Sequence, residues 1–208
     1  MKHSWIQAAI DVEDMELAKK IAIQAVKNGA EWIEVGTPLI YEFGIDSIRQ
    51  IRSVVGDTPI VVDYKSYIPA LCVKQGAAAG ANYIMVQATY SDSLVGQAIK
   101  LANEAGIDVI FDIFCLKPTD LVERCKELEA LGGKYIFTRH FSNYKGQRFD
   151  TLETLYGQTG MKIGVTDDNF ETAQQAMKKA DWVVFGTVLR DGDDEACKTW
   201  IDALHAAR

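Results

Sequence analysis

Eight short apolar, β-branched runs punctuate the chain, at residues 6–10, 32–35, 60–62, 83–86, 109–111, 135–137, 162–165 and 182–185. They are nearly continuous rather than alternating. That is the pattern of strands buried on both faces of a parallel sheet. Between the runs, apolar positions recur with helical period. Leu17, Ile21 and Ala25 fall on one stripe with Ala18 and Ala22. Leu94, Ala98, Leu101 and Ala105 form a second stripe, and Leu121, Cys125, Leu128 and Leu131 a third. A glycine marks the passage from helix to strand at Gly29, Gly56, Gly80, Gly106, Gly132 and Gly160, spaced 24 to 28 residues apart. Glycine takes the left-handed conformation of a helix C-cap without steric penalty. Ala180 stands in that place before the last run.

Dividing 208 residues by eight gives 26 per unit, close to the glycine spacing. Eight strand–helix units of this size predict an α/β fold, a compact single-domain (β/α)8 TIM barrel spanning residues 1–208. An open doubly wound sheet would be expected to carry a GxGxxG turn after its first strand, and none is present.

Composition changes this picture little but excludes several partners. Hydrophobic residues make up 48% of the chain and are spread along it, which excludes disorder. The formal charge is −7 and no basic run exists, so neither nucleic acid nor an anionic membrane is expected as a partner. The first apolar stretch turns acidic at Asp11, Glu13 and Asp14, too early for a signal peptide. No run approaches the roughly 20 apolar residues of a membrane span. Cys72, Cys115, Cys125 and Cys197 lie far apart with no CxxC, which predicts reduced thiols in a cytoplasmic protein.

Chemistry in such a barrel collects at the C-terminal ends of the strands. That rule selects Asp11, then Glu34 with Thr37, Asp63 with Lys65, Gln87 with Thr89, and Asp112. It continues with Arg139 and His140, Thr166 with Asp167 and Asp168, and Thr187 with Arg190. Carboxylates crowded into one mouth need a compensating cation. Lys65 is one. A divalent ion on the oxygen donors of Glu34 and Asp63 is the other, and such a donor set suits Mg²⁺ or Mn²⁺ rather than zinc. Asp63 and Lys65 occupy alternate positions and therefore face the same mouth.

Four segments resemble the orotidine-5′-phosphate decarboxylase suprafamily, in its branch of 3-hexulose-6-phosphate synthase and 3-keto-L-gulonate-6-phosphate decarboxylase. They are Ala8-Ala9-Ile10-Asp11, Trp32-Ile33-Glu34-Val35-Gly36-Thr37-Pro38, Val61-Val62-Asp63-Tyr64-Lys65, and Ala79-Gly80-Ala81 through Val86 with Phe111-Asp112-Ile113. The resemblance implies a carbon–carbon lyase, aldolase or decarboxylase, acting on a sugar phosphate through a metal-stabilised enediolate. It implies Mg²⁺ on Glu34 and Asp63, with Asp11 and Lys65 on substrate hydroxyls and the enediolate. Asp112 joins that network and His140 assists. Thr37, Arg139, Thr166, Gly186 and Arg190 are implied as substrate contacts. A homodimer with active sites at its interface is implied as well.

The chain departs from the family pattern at several positions. Ile68 stands where the D-x-K-x-x-D motif has its second Asp. Thr166-Asp167-Asp168 replaces a glycine-rich phosphate loop, and Gly186-Thr187 is followed only later by Arg190. His140 lies one or two places past the family's histidine position. Extra chain is expected around Pro118-Thr119. Asp167 or Asp168 is read as a helix cap, and Arg139, Lys145, Arg148 and Arg190 as candidates for a rebuilt anion pocket. The alternatives are a diverged barrel acting on a non-phosphorylated or differently anchored substrate, and a non-catalytic binding homologue.

Overall fold

The computed structural model describes residues 4–208. Met1, Lys2 and His3, the start of the segment read above as no signal peptide, lie outside the described residues. In chain order the first half comprises β1 (Trp5–Ile10), α1 (Met15–Asn28), β2 (Trp32–Val35), α2 (Thr37–Phe43), α3 (Asp46–Val55), β3 (Ile60–Val62), α4 (Pro69–Ala79), β4 (Tyr83–Gln87), α5 (Asp92–Ala105) and β5 (Asp108–Asp112). The second half comprises α6 (Leu121–Ala130), β6 (Tyr135–Arg139), β7 (Phe141–Tyr144), β8 (Gln147–Asp150), α7 (Thr151–Leu155), β9 (Lys162–Thr166), α8 (Phe170–Ala176), β10 (Trp182–Phe185) and α9 (Asp194–Ala206).

Eight of these strands close a parallel barrel in the order β1-β10-β9-β6-β5-β4-β3-β2. The eight apolar runs therefore become the eight barrel strands, and helices cover the outside. Among the described residues, no helix is long and apolar enough to cross a membrane.

The chain has two cores, and strand parity separates them. Residues pointing outward join the helices in the larger core, for example Ile33, Val35, Phe111 and Phe185. Residues pointing inward fill the barrel: Ala9, Trp32, Val61, Met85, Ile110, Tyr135, Trp182 and Val184, with Trp5, Tyr83 and Phe137 packed against them. The floor of the barrel is aromatic. Trp32 stacks on Trp5 at 5.2 Å and on Tyr83 at 4.5 Å between ring centroids, and Trp182 lies 5.4 Å away. Gly164 makes this possible, because a Cβ there would run into the Trp182 indole.

Two sequence expectations are corrected. Gly29, Gly80 and Gly106 cap helices in the left-handed conformation, but Gly160 does not. The helix preceding it, α7, is a short turn of helix that ends at Leu155 with Tyr156 as its cap. The expected insertion at Pro118-Thr119 is only a 3₁₀ turn, Pro118–Asp120. The extra chain is instead the antiparallel hairpin β7–β8. Its two-residue turn places Lys145 at φ 50° and Gly146 at φ 78°, the geometry that matches the twist of paired strands. Phe141 and Phe149, flanking Lys-Gly at alternating positions, were the available signal for it.

Candidate active site

Counting upward from the aromatic floor in steps of two residues leads to the mouth on every strand. On β2, Trp32 leads to Glu34. From β3, Val61 leads to Asp63 and then Lys65. On β5, Ile110 leads to Asp112. From β10, Trp182 leads through Val184 to Gly186. These positions converge on a cavity of about 250 Å³, also lined by Asp11, Arg139, Thr166, Asp168, Thr187 and Arg190.

Lys65 organises its centre. Its Nζ donates to Asp63 Oδ1 at 2.8 Å and to Asp112 Oδ2 at 2.9 Å. Among the described residues, Lys65 is also one of two non-glycine residues with positive φ, at 45°. Such a conformation costs of order 1 kcal/mol and persists where the surroundings over-determine it. Burial works against the charge on Lys65, but Asp63 and Asp112 override it and push its pKa up. The side chain is therefore a fixed ammonium. Gln87 Nε2 also donates to Asp112 Oδ2, at 3.0 Å, and the Phe114 N–H donates to Asp112 Oδ1 at 2.9 Å.

The acidic side of the mouth is under strain of another kind. Burial raises the pKa of Glu34 well above its ordinary value, and the charges of Asp63 and Asp11 raise it further. Gln7 Nε2 opposes this by donating to Glu34 Oε2 at 2.6 Å. Asp63 is raised by burial, against the pull of Lys65. Asp11 is raised by burial and by Asp63, while Arg190 and Lys65 lower it. A Cβ on Gly36 would collide with the Asp11 carboxylate, so glycine is what lets Asp11 lie against the start of α2.

Two predicted substrate or catalytic residues are placed elsewhere. Thr37 does not line the cavity. Its hydroxyl lies 3.0 Å from both the Asp63 carbonyl and Asp63 Oδ2, so it positions that carboxylate. His140 is also off the cavity and nearly fully buried. It sits one residue past the inward-facing Arg139, and the change of parity turns it outward. Its Nδ1 lies 2.8 Å from Asp167 Oδ2 and its Nε2 3.7 Å from Asp150 Oδ2.

His140 thus clamps the loop after β9 to the base of the hairpin. Burial opposes ionisation of Asp167, but the bond to His140 leads the effects that hold its pKa below the usual carboxylate value. The cap of α8 is Asn169, not Asp167 or Asp168, since the Asn169 side chain accepts from the Thr172 N–H. Asp168 faces the cavity and accepts from the Thr187 hydroxyl at 2.7 Å. Of the other cations proposed from sequence, Lys145 lies over Tyr144 in the hairpin and Arg148 over Phe141, away from the main cavity. Thr89 lines a separate surface hollow. Sequence reasoning missed Gln7, Gly36 and Phe114. Inward parity on the first strand was the available signal for Gln7.

Among the described residues, no three His, Cys, Asp or Glu side chains form a ready-made metal cage. Glu34 and Asp63 offer two neighbouring carboxylates whose mutual repulsion raises the pKa of Glu34. Mg²⁺ commonly binds through one or two carboxylates, completing its shell with water and substrate oxygens, so these residues fit it.

Comparison with known proteins was then informative. Residues 4–196 match the family described as "Orotidine 5'-phosphate decarboxylase / HUMPS family". The 3-hexulose-6-phosphate synthase 3 of Staphylococcus saprophyticus is 24% identical over 211 residues, covering 95% of this chain and 98% of that protein. The structure of 3-hexulose-6-phosphate synthase from Salmonella typhimurium superposes with a TM-score of 0.85 at 22% identity, covering 98% of this chain and 100% of the other. That of 3-keto-L-gulonate-6-phosphate decarboxylase from Vibrio cholerae gives 0.83 at 19% identity, covering 99% and 97%.

Proposed function

The chain belongs to the Orotidine 5'-phosphate decarboxylase / HUMPS family, and from that premise we propose that it is a carbon–carbon lyase acting on a sugar phosphate, of the 3-hexulose-6-phosphate synthase type. The observation that carries this reading is the Lys65 ammonium, held between Asp63 and Asp112 above the carboxylates of the mouth.

The names of the two relatives define one chemistry. A 3-hexulose 6-phosphate and a 3-keto-gulonate 6-phosphate both carry a carbonyl at C3. Breaking the C1–C2 bond leaves the electron pair on C2, conjugated with that carbonyl, as an enediolate. C1 departs as formaldehyde in the first case, its hydroxyl proton passing to a carboxylate of the mouth, and as carbon dioxide in the second. A proton delivered to C2 then gives a pentulose 5-phosphate.

Lys65 is suited to stabilise the developing oxyanion and to supply that proton. Asp63 and Asp112 favour its charged form, which suits it to donate a proton rather than to take one up. Asp11 and Asp63 are placed to accept hydrogen bonds from substrate hydroxyls, and Asp112 holds Lys65 in place. Glu34 and Asp63 would hold Mg²⁺ or Mn²⁺, which when bound supplies Lewis-acid polarisation of the carbonyl. A cytoplasmic homodimer is part of the proposal. It is supported by four free cysteines and by exposed apolar side chains, Tyr41 on α2, Tyr67 and Ile68 in the loop after β3, and Leu71 on α4. Tyr67 is 90% exposed, and Ile68 stands there in place of the motif's second Asp.

The test is incubation of the folded, Mg²⁺-loaded protein with a 3-hexulose 6-phosphate and with a 3-keto-gulonate 6-phosphate. Formaldehyde or carbon dioxide release that disappears in Lys65→Ala is expected. No release from either compound rejects the lyase assignment.

A second reading of the same chemistry is favoured by Asp168. A carboxylate on the cavity wall at the ends of β9 and β10 points to a substrate anchored differently from the family pattern.

A further inference from the structure

Next to the catalytic cavity lies a second one of about 380 Å³, between the loop after β5 and the β7–β8 hairpin. The two share Phe114, Thr138 and Arg139 as wall residues, so a molecule reacting at Lys65 can extend into the second compartment. Their charges differ sharply. The catalytic cavity is lined by five carboxylates, Asp11, Glu34, Asp63, Asp112 and Asp168, against three cations, Lys65, Arg190 and the shared Arg139. The second compartment is lined by none, and offers Lys117 and Arg139 together with the donors of Ser142 and Asn143.

We infer that the phosphate monoester of the substrate is anchored in this second compartment, on Arg139 with Lys117, and not at the ends of β9 and β10. The inference rests on the sugar-phosphate reading above and deepens it.

Three observations carry it. At the ends of β9 and β10 a dianion would face Asp168, which is held in place by Thr187, and Asp11 beyond it. Backbone amides bind phosphate well where no carboxylate competes, and here one does. Arg139 is available, since among the described residues it makes no ion pair. Its guanidinium lies 5.0 Å from the centre of the Phe114 ring, at the boundary of the two compartments. Arginine's planar fork suits bidentate phosphate binding from such a stacked position.

The third observation is that the outer wall is built rather than loose. The hairpin has four paired positions and a tight turn. His140 ties its base to the loop after β9, and the Thr151 N–H donates to the His140 carbonyl at 2.9 Å. A wall fixed in this way can hold donors at a set distance from the reacting carbons.

The experiment is calorimetric binding of ribulose 5-phosphate, ribulose and inorganic phosphate to the full chain and its variants. Arg139→Ala is expected to weaken ribulose 5-phosphate at least tenfold while changing ribulose less than twofold. Lys117→Ala should weaken the phosphate ester a few-fold, and Arg190→Ala less than Arg139→Ala. Lys126→Ala, on the exposed face of α6, is the control. Arg139→Gln repeats the test should the alanine variant melt early.

Three binding results overturn the proposal. They are a larger loss in Arg190→Ala than in Arg139→Ala, equal losses for ester and free sugar, and no preference of the wild type for the ester. Binding in Lys65→Ala separates this inference from the lyase reading. If the binding pattern holds without turnover by the wild type, the anchor stands and the lyase falls. If turnover proceeds with an unchanged KM in Arg139→Ala, the anchor falls and the lyase stands.

Discussion

Trp32 and Glu34 lie two residues apart on one strand, both point into the barrel, and both are buried. Around Trp32 the floor is filled by Trp5, Tyr83, Tyr135 and Trp182, and aromatic burial there supports the fold. Around Glu34 the mouth gathers Asp11, Asp63 and Lys65, and burial there works against the fold by raising carboxylate pKa values. The contrast shows where stability and function are kept apart. About 7 Å of strand, two residues, separates the part that holds the barrel from the part that gathers the ionisable groups of the candidate site. A site of this kind is expected to be destabilising in the absence of its ligands.

The sharpest way to break this contrast is to remove one residue from each end. Trp182→Ala should lower stability by about 3–5 kcal/mol, because it empties a fully buried site. Activity per folded molecule should stay within a few-fold. Lys65→Ala should do the reverse in rank, with turnover falling roughly 10³-fold and a stability loss smaller than that of Trp182→Ala, arising because Asp63 and Asp112 lose the ammonium they share. Chemical denaturation and steady-state kinetics on both variants measure the two axes. A large stability loss in Lys65→Ala would show that mouth and floor are not independent.

A smaller effect of opposite sign is expected at Glu34. Its folded pKa is raised above the ordinary 4.5, so the folded protein holds a proton that the unfolded chain releases. Stability from this group is full below 4.5 and is lost as pH rises through the raised value. Asp11 and Asp63 add slopes of the same sign. Glu34→Gln should therefore flatten part of the pH dependence and stabilise the metal-free protein by about 1 kcal/mol near neutral pH. It should also abolish any stabilisation by Mg²⁺. Thermal melts from pH 4.5 to 8, with and without Mg²⁺, test this.

The smallest effect belongs to the clamp that joins the hairpin to the barrel. His140→Asn should cost about 0.5–1 kcal/mol through loss of the ring's hydrogen bond to Asp167. Hydrogen exchange should speed up in 141–150 and leave the floor strands unaffected. Uniform loss of protection would mean that the hairpin is part of the global unit.

Much of this was legible in the chain. Buried parallel strands need continuous apolar runs, so all eight could be counted without structure. Asp11, Glu34, Asp63, Lys65 and Asp112 followed from the fold's rule about strand ends. The hairpin was missed because the sequence was read for barrel units only, and a short antiparallel pair outside the barrel leaves no long apolar run. His140 adjoins a strand end without facing the mouth, because a step of one residue from Arg139 reverses a strand side chain.

The sequence by itself determined the barrel, its repeat and the register of its reactive positions. These depend on local periodicity and on the need to bury apolar surface, and both are written along the chain. Tertiary structure alone decided that Asp167 is taken up by His140, that Thr37 serves Asp63, and that a carboxylate-free compartment opens beside the mouth. Those outcomes depend on which side chains from distant segments meet, and the free energy of such meetings is set by distance and burial rather than by position along the chain.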